Sequence, residues 1–152
     1  MKSVTKPSLS SSCCFLTESS LVEELLKMVT FRGALVKCEA VTLEFGFDSG
    51  RTDLLGITLE SDLHAFEAKL SKWKSALHQA FKNSSFAHYV YVVMPERTSK
   101  AAIRAKLEFE KRGVGLIILG GKNPKIEVKP RRFDPLLPWI TRTAQKTLES
   151  HK

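Results

Sequence analysis

Arg51-Thr52-Asp53-Leu54-Leu55-Gly56-Ile57-Thr58-Leu59 and, after Glu60-Ser61-Asp62, Leu63-His64-Ala65-Phe66-Glu67-Ala68-Lys69-Leu70 form the stretch that decides the fold. Each half reads as a strand, and the polar residues between them form a turn, so the second strand returns beside the first. Residues i and i+2 of a strand share one face. Glu67 and Lys69 are therefore expected to project together, with Ala68 on the opposite face. If the first strand brings Asp53 alongside, two carboxylates and one ammonium converge. Hard oxygen ligands of this kind suit Mg²⁺ or Mn²⁺, which are usually held by one or two carboxylates plus water and a substrate phosphate. That set is the minimum needed to hydrolyse a phosphodiester.

Upstream of this stretch, Thr17-Glu18-Ser19-Ser20 followed by Leu21, Leu25, Leu26 and Met28 predicts an N-capped amphipathic helix ending near Arg32-Gly33. The alternation from Leu35 to Phe47 predicts a strand, and Gly46-Phe47-Asp48-Ser49-Gly50 a turn. Downstream, Ser71 is expected to cap a helix to about Lys82, with Trp73, Ala76, Leu77 and Ala80 facing inward. Ala87 to Met94 is strongly β-prone and stops at Pro95. A helix from Thr98 to Lys111, a buried strand Val114–Leu119, a turn Gly120–Pro124 and an edge strand Ile126–Pro130 follow. Asp134-Pro135 then caps a last helix running toward Glu149. The order α-β-β-β-α-β-α-β-β-α predicts an α/β protein, a mixed sheet with helices on both faces. The last helix, which carries Gln145, is the element that the pattern ties least firmly to the sheet.

A length of 152 residues fits one domain with a proper core, and 43% hydrophobic with 26% charged residues is ordinary for a soluble globular chain. Residues 1–16 are expected to be a loose tail and 17–152 a single domain, with its core at 21–119 and a basic extension at 120–152. The net charge of +8 is unevenly placed. Residues 1–100 carry 12 basic and 11 acidic side chains (+1), while residues 101–152 carry 12 and 5 (+7). Such a surface attracts polyanions, nucleic acid among them. No apolar run reaches the length of a membrane span, and the serine-rich Met1–Ser12 lacks the apolar centre of a secretory signal. Cys13, Cys14 and Cys38 are an odd set without zinc-ligand spacing, so a reducing, cytoplasmic setting is expected.

The helix, the three-strand meander with Asp53 and Glu67-Ala68-Lys69, then helix and strand resemble the PD-(D/E)XK nuclease superfamily, with its restriction-endonuclease-like fold and α-β-β-β-α-β core. The resemblance spans about Leu21 to Leu119. Its flanking sequence, Arg51-Thr52-Asp53-Leu54-Leu55-Gly56, Phe66 to Trp73, Ala76-Leu77-His78-Gln79-Ala80 and Phe109 to Leu116, is similar to a small microbial branch. The chain departs from the superfamily pattern at Thr52, where proline is usual, and places Ala68 at the variable position of the triplet. The resemblance implies a Mg²⁺- or Mn²⁺-dependent nuclease, with Asp53, Glu67 and the Ala68 carbonyl as metal ligands. It implies that Lys69 orients water and stabilises charge on the phosphate, and that Gln79 stands at the site mouth. A first-helix glutamate, Glu24 or Glu23, is a further candidate, and Arg51 a phosphate contact. Homodimerisation is expected on the resemblance alone.

Plainer readings stand beside these. Ile126-Glu127-Val128-Lys129 also fits Glu-x-Lys, but Leu63 to Lys125 contains no aspartate, so this segment is read as an edge strand with charges on its wet face. Glu67 and Lys69 could form an exposed charge pair of little energetic weight. His64, His78, His88 and His151 show no metal or triad spacing, and Gly113-Val114-Gly115 is not a phosphate loop. Lys72, Lys129, Arg131, Arg132 and Arg142 are candidates for tracking DNA phosphates, against the alternative of a solvated basic surface. DNA is the expected partner, with RNA left open. A nuclease-fold subunit that binds nucleic acid without turnover is the alternative function, and the intact Asp53, Glu67 and Lys69 set argues against it.

Overall fold

Residues 15–31, 34–47, 50–120 and 124–152 are described by a computed structural model. Expectations for the tail through Cys14, the helix end at Arg32-Gly33, the turn at Asp48-Ser49 and Gly121–Asn123 lie outside the described residues.

Among the described residues six strands form one sheet in chain order: β1 (Ala40–Phe47), β2 (Gly50–Ile57), β3 (Leu63–Ala68), β4 (Tyr89–Pro95), β5 (Gly115–Leu119) and β6 (Lys125–Val128). β1, β2 and β3 pair antiparallel, β3–β4 and β4–β5 parallel, and β6 returns antiparallel on β5. The two parallel steps need crossovers. They are supplied by α2 (Trp73–Asn83) and by α3 (Lys100–Arg104) with α4 (Lys106–Arg112). α1 (Glu18–Thr30) precedes the sheet and α5 (Pro138–Glu149) follows it.

The two faces carry separate cores. Leu21, Leu25, Met28 and Val29 of α1 pack on Leu54, Phe66, Tyr91, Val93, Ile117 and Leu119. On the other face α2, α3, α4 and α5 cover Leu55, Ile57, Leu63, Ala65, Val90, Val92 and Leu116. Every residue of β3 is consequently buried. Its side chains still alternate, with Phe66 and Ala68 under α1 and Leu63 and Ala65 under α2. The last helix does pack on the sheet, through Ile140, Ala144 and Leu148.

Several boundaries differ from the sequence reading for physical reasons. The strand expected from Leu35 starts only at Ala40. Before that point Cys38 N–H ties the chain to α1 by donating to Val29 O (2.8 Å), and the Glu39 N–H donates to the carbonyl of Ile57, the last residue of β2 (2.8 Å). β1 and β2 reach into the predicted Gly46–Gly50 turn from either side, pairing Gly46 with Arg51 and Phe47 with Gly50. α1 begins with a capping box between Thr17 and Ser20, whereas α2 starts at Trp73 without a side-chain cap, so Ser71 does not play that part. The helix expected over Thr98–Lys111 is a 3-10 turn followed by two segments separated at Ala105. The last helix starts at Pro138 instead of Asp134, with proline in its first turn, where the missing N–H has no helical partner to lose. No helix among the described residues is long and apolar enough to cross a membrane.

Gly56 is where β2 is thinnest. A Cβ there would stand 2.4 Å from Cys38 Sγ and 3.0 Å from its Cβ. Gly56→Ala should therefore destabilise the fold by about 1–3 kcal/mol through overpacking. In Gly56→Ala/Cys38→Ala much of that loss should return, as read from urea unfolding midpoints. An additive double mutant would show that Cys38 is not the obstacle.

Candidate active site

β2 and β3 pair from Ile57↔Leu63 only as far as Leu54↔Phe66, and there the strands part. The next free N–H on β3, that of Ala68, donates to Asp53 Oδ2 at 2.9 Å in place of a backbone carbonyl. The Asp53 carboxylate is thus anchored inside the opening between the strands. β1 contributes a second irregularity. Glu44 has φ 55°, a left-handed conformation rare outside glycine, between the pairs Leu43↔Leu54 and Phe45↔Thr52. Side chains two apart are thereby sent to opposite faces: Leu43 lines a cleft beside α1, while Phe45 packs on Phe86 (5.5 Å between ring centroids) in the other core.

Glu67 is 3% exposed. Its Oε1 accepts from Asn83 Nδ2 at 2.9 Å, at the last residue of α2. The same amide nitrogen donates to Thr52 Oγ1 (3.3 Å), and the Thr52 hydroxyl donates to Phe66 O (3.3 Å). Burial pushes the Glu67 carboxyl from its ordinary 4.5 up to about 7. The Asn83 hydrogen bond opposes that rise, the adjacent Asp53 reinforces it by charge and by a hydrogen bond, and Lys69 lowers it.

Lys69 follows the end of β3, its N–H donating to Val93 O (3.0 Å). Its Nζ lies 3.7 Å from Glu18 Oε2 on α1. Just beyond, the Thr98 hydroxyl donates to the Leu70 carbonyl and ties down the segment leaving the site. A cleft of about 310 Å³ joins Asp53 to α1 through Glu18, Val22, Glu23 and Leu26, with Leu43 and Glu44 opposite. Of the first-helix acids, Glu18 and Glu23 thus border the cleft, and Glu24 pairs with Lys27 (3.3 Å). The reading from sequence did not include Glu18. It lies in the first turn of α1, next to the Thr17 cap. Among the described residues no three His, Cys, Asp or Glu side chains are grouped to hold a metal ion.

On the α2 side a smaller recess, about 110 Å³, is lined by Phe47, Gly50, Arg51, Gln79, Lys82 and Asn83. Arg51 and Gln79 are brought together there, joined by Lys82, which the sequence reading passed over. The remaining basic candidates are not gathered at this place. Arg132 pairs with Asp62 (2.9 Å) and Asp134 (3.5 Å), and Arg131 lies over the Phe133 ring (5.2 Å). Lys129 lines a separate groove with Asp62, His64 and Tyr89. Lys72 precedes α2 and Arg142 lies on α5, both exposed. His64 bonds through Nδ1 to the Tyr91 hydroxyl (3.0 Å), and His88 Nδ1 accepts from Leu63 N–H (2.9 Å), which are structural uses of both rings.

Comparison with known proteins gives the fold and little else. No family model matches the chain, and no curated protein matches it. Among solved structures it is similar to a protein of unknown function from Silicibacter pomeroyi (16% identity, TM-score 0.51, covering 73% of this chain and 69% of that one). A further match, SfsA from Pyrococcus furiosus in complex with Ca²⁺, has 13% identity and a TM-score of 0.39, covering 75% of this chain and 61% of that one.

The raised Glu67 carboxyl gives a pH signature in metal-free protein. Between 4.5 and about 7 the folded state holds a proton that the unfolded state has released, so stability should fall as pH rises through that window. His64, buried and lowered from 6.5 to about 4, acts in the opposite sense, adding stability as pH rises from 4 to 6.5. Subtracting the profile of Glu67→Gln from that of the wild type isolates the first effect. Identical slopes in the two proteins would mean that Glu67 titrates normally.

Proposed function

We propose that this chain is a metal-dependent nuclease of the PD-(D/E)XK type that hydrolyses DNA phosphodiester bonds. The observation that supports the reading is the Asp53 carboxylate held on the Ala68 N–H where β2 and β3 part, one residue from the buried Glu67 carboxyl. Burial and Asp53 together hold the Glu67 carboxyl well above its ordinary value. Two carboxylates pressed together in this way are relieved by a divalent cation, so the donor set fits Mg²⁺ or Mn²⁺, which need few protein ligands. Asp53, Glu67 and the carbonyl of Ala68 would hold it. When bound, such an ion supplies positive charge to a phosphoryl oxygen.

The chain's own residues do the rest. The Lys69 ammonium offers donors and charge to a phosphate oxygen gaining negative charge, and it can orient water by hydrogen bonding. Its contact with Glu18, at 3.7 Å between partly exposed partners, is weak enough to yield to a substrate. Arg51 and Lys82, with the Gln79 amide, line a recess with no acidic residue among the described ones and bind a backbone phosphate there. The same Glu18–Lys69 contact is the one feature that favours the second reading, a nucleic-acid-binding subunit whose lysine is already engaged.

Purified protein incubated with supercoiled, linear, single-stranded and branched DNA should cut at least one of them with Mg²⁺ or Mn²⁺ and none with chelator. Lys69→Ala should slow cutting by about 10²–10³-fold, the usual cost of losing one transition-state donor. Mn²⁺ should raise the Tm of the wild type and raise those of Asp53→Ala and Glu67→Ala less. Tight binding with no cutting on any substrate would favour the second reading.

A further inference from the structure

Thr52 stands where the superfamily pattern has proline, and it is fully buried. Asn83 is 1% exposed, at the C-terminal end of α2. A buried amide and a buried hydroxyl are costly unless their hydrogen bonds are met, and here they meet each other's.

Acceptor chemistry fixes the direction of this chain. The Asn83 nitrogen faces Glu67 Oε1 (2.9 Å), the orientation that suits the carboxylate when it is ionised and can only accept. Its second proton goes to Thr52 Oγ1 (3.3 Å), which in turn directs its own hydrogen to the Phe66 carbonyl (3.3 Å). The amide is thereby locked against flipping, and one oxygen of Glu67 is held from the α2 side. A proline at 52 could not donate or accept in this chain.

We infer that Thr52 and Asn83 form a positioning pair that holds Glu67 oriented for a divalent cation shared with Asp53. This rests on the metal site proposed above. Asn83 acts directly on the Glu67 carboxylate, whereas Thr52 reaches that carboxylate through Asn83 and holds the Phe66 carbonyl of the preceding peptide. Neither touches substrate.

The test is Mn²⁺ affinity, read as the loss of the free-ion EPR signal during titration, alongside urea unfolding of the same proteins without metal. Asn83→Leu should weaken Mn²⁺ binding by about 10- to 100-fold, the range for residues that orient a ligand. Thr52→Val should weaken it by less, and the double variant by no more than Asn83→Leu alone, because Thr52 reaches the carboxylate through Asn83. A purely structural role predicts lower urea midpoints with unchanged Mn²⁺ affinity, and that result would overturn the pair. If Asn83→Leu does not fold, Thr52→Val decides: unchanged affinity counts against the pair and weakened affinity supports it. Failure of the wild type to bind Mn²⁺ would overturn the metal site itself, and this inference with it. That outcome is distinct from a wild type that binds and variants that bind equally.

Discussion

The separation of β2 from β3 beyond the Leu54–Phe66 pair is the constraint on which the site depends. Had the ladder continued, Ala68 N–H would have met a backbone carbonyl, and nothing would have drawn the Asp53 carboxylate between the strands. The parting is compensated: Asp53 satisfies the freed N–H at 2.9 Å, and the Thr52 hydroxyl reaches back to the Phe66 carbonyl. The left-handed turn of the backbone at Glu44 works with it by reversing the pleat of the neighbouring strand at the same level. Backbone groups at the opening are thus met by side chains, and the side chains that meet them are those of the candidate site.

The rest of the architecture keeps that opening rigid. β3 is sandwiched between α1 on one face and the α2–α5 layer on the other, so it cannot slide without exposing both cores. This burial is also why Glu67 is electrostatically costly. A carboxylate on an exposed strand would titrate near its ordinary value, but beneath α2 it depends on Asn83 and on its neighbours. The site is divided by the sheet. Asp53 borders the cleft against α1 and Lys69 reaches that helix at Glu18, while Glu67 is fastened to α2.

That division qualifies the simplest lesson of strand periodicity. Alternation correctly separates Glu67 from Ala68, but it also places Lys69 beside Glu67, and β3 ends before Lys69. The lysine is therefore free to turn toward Glu18. A similar failure attends the basic C-terminal third. A charge surplus in sequence says nothing about its direction in space, and Arg132 is paired with Asp62 instead of standing at the opening. The strand expected from Leu35 shows the same limit, since alternation at Val36 and Cys38 reflects packing under α1 without any ladder.

The sequence by itself determined the element order and the mixed α/β sheet with helices on both faces, and it singled out Asp53, Glu67 and Lys69 as the candidate acid, acid and lysine. Those features depend on local periodicity, turn residues and short spacing along one hairpin, all of which are written in consecutive residues. Only the tertiary structure decided which first-helix acid meets Lys69, that Asn83 and Thr52 join Glu67, and that Lys82 shares a recess with Arg51 and Gln79. These contacts link residues as far apart as Glu18 and Lys69 or Thr52 and Asn83. They are set by where two helices settle on opposite faces of a sheet, a packing outcome that no local pattern encodes.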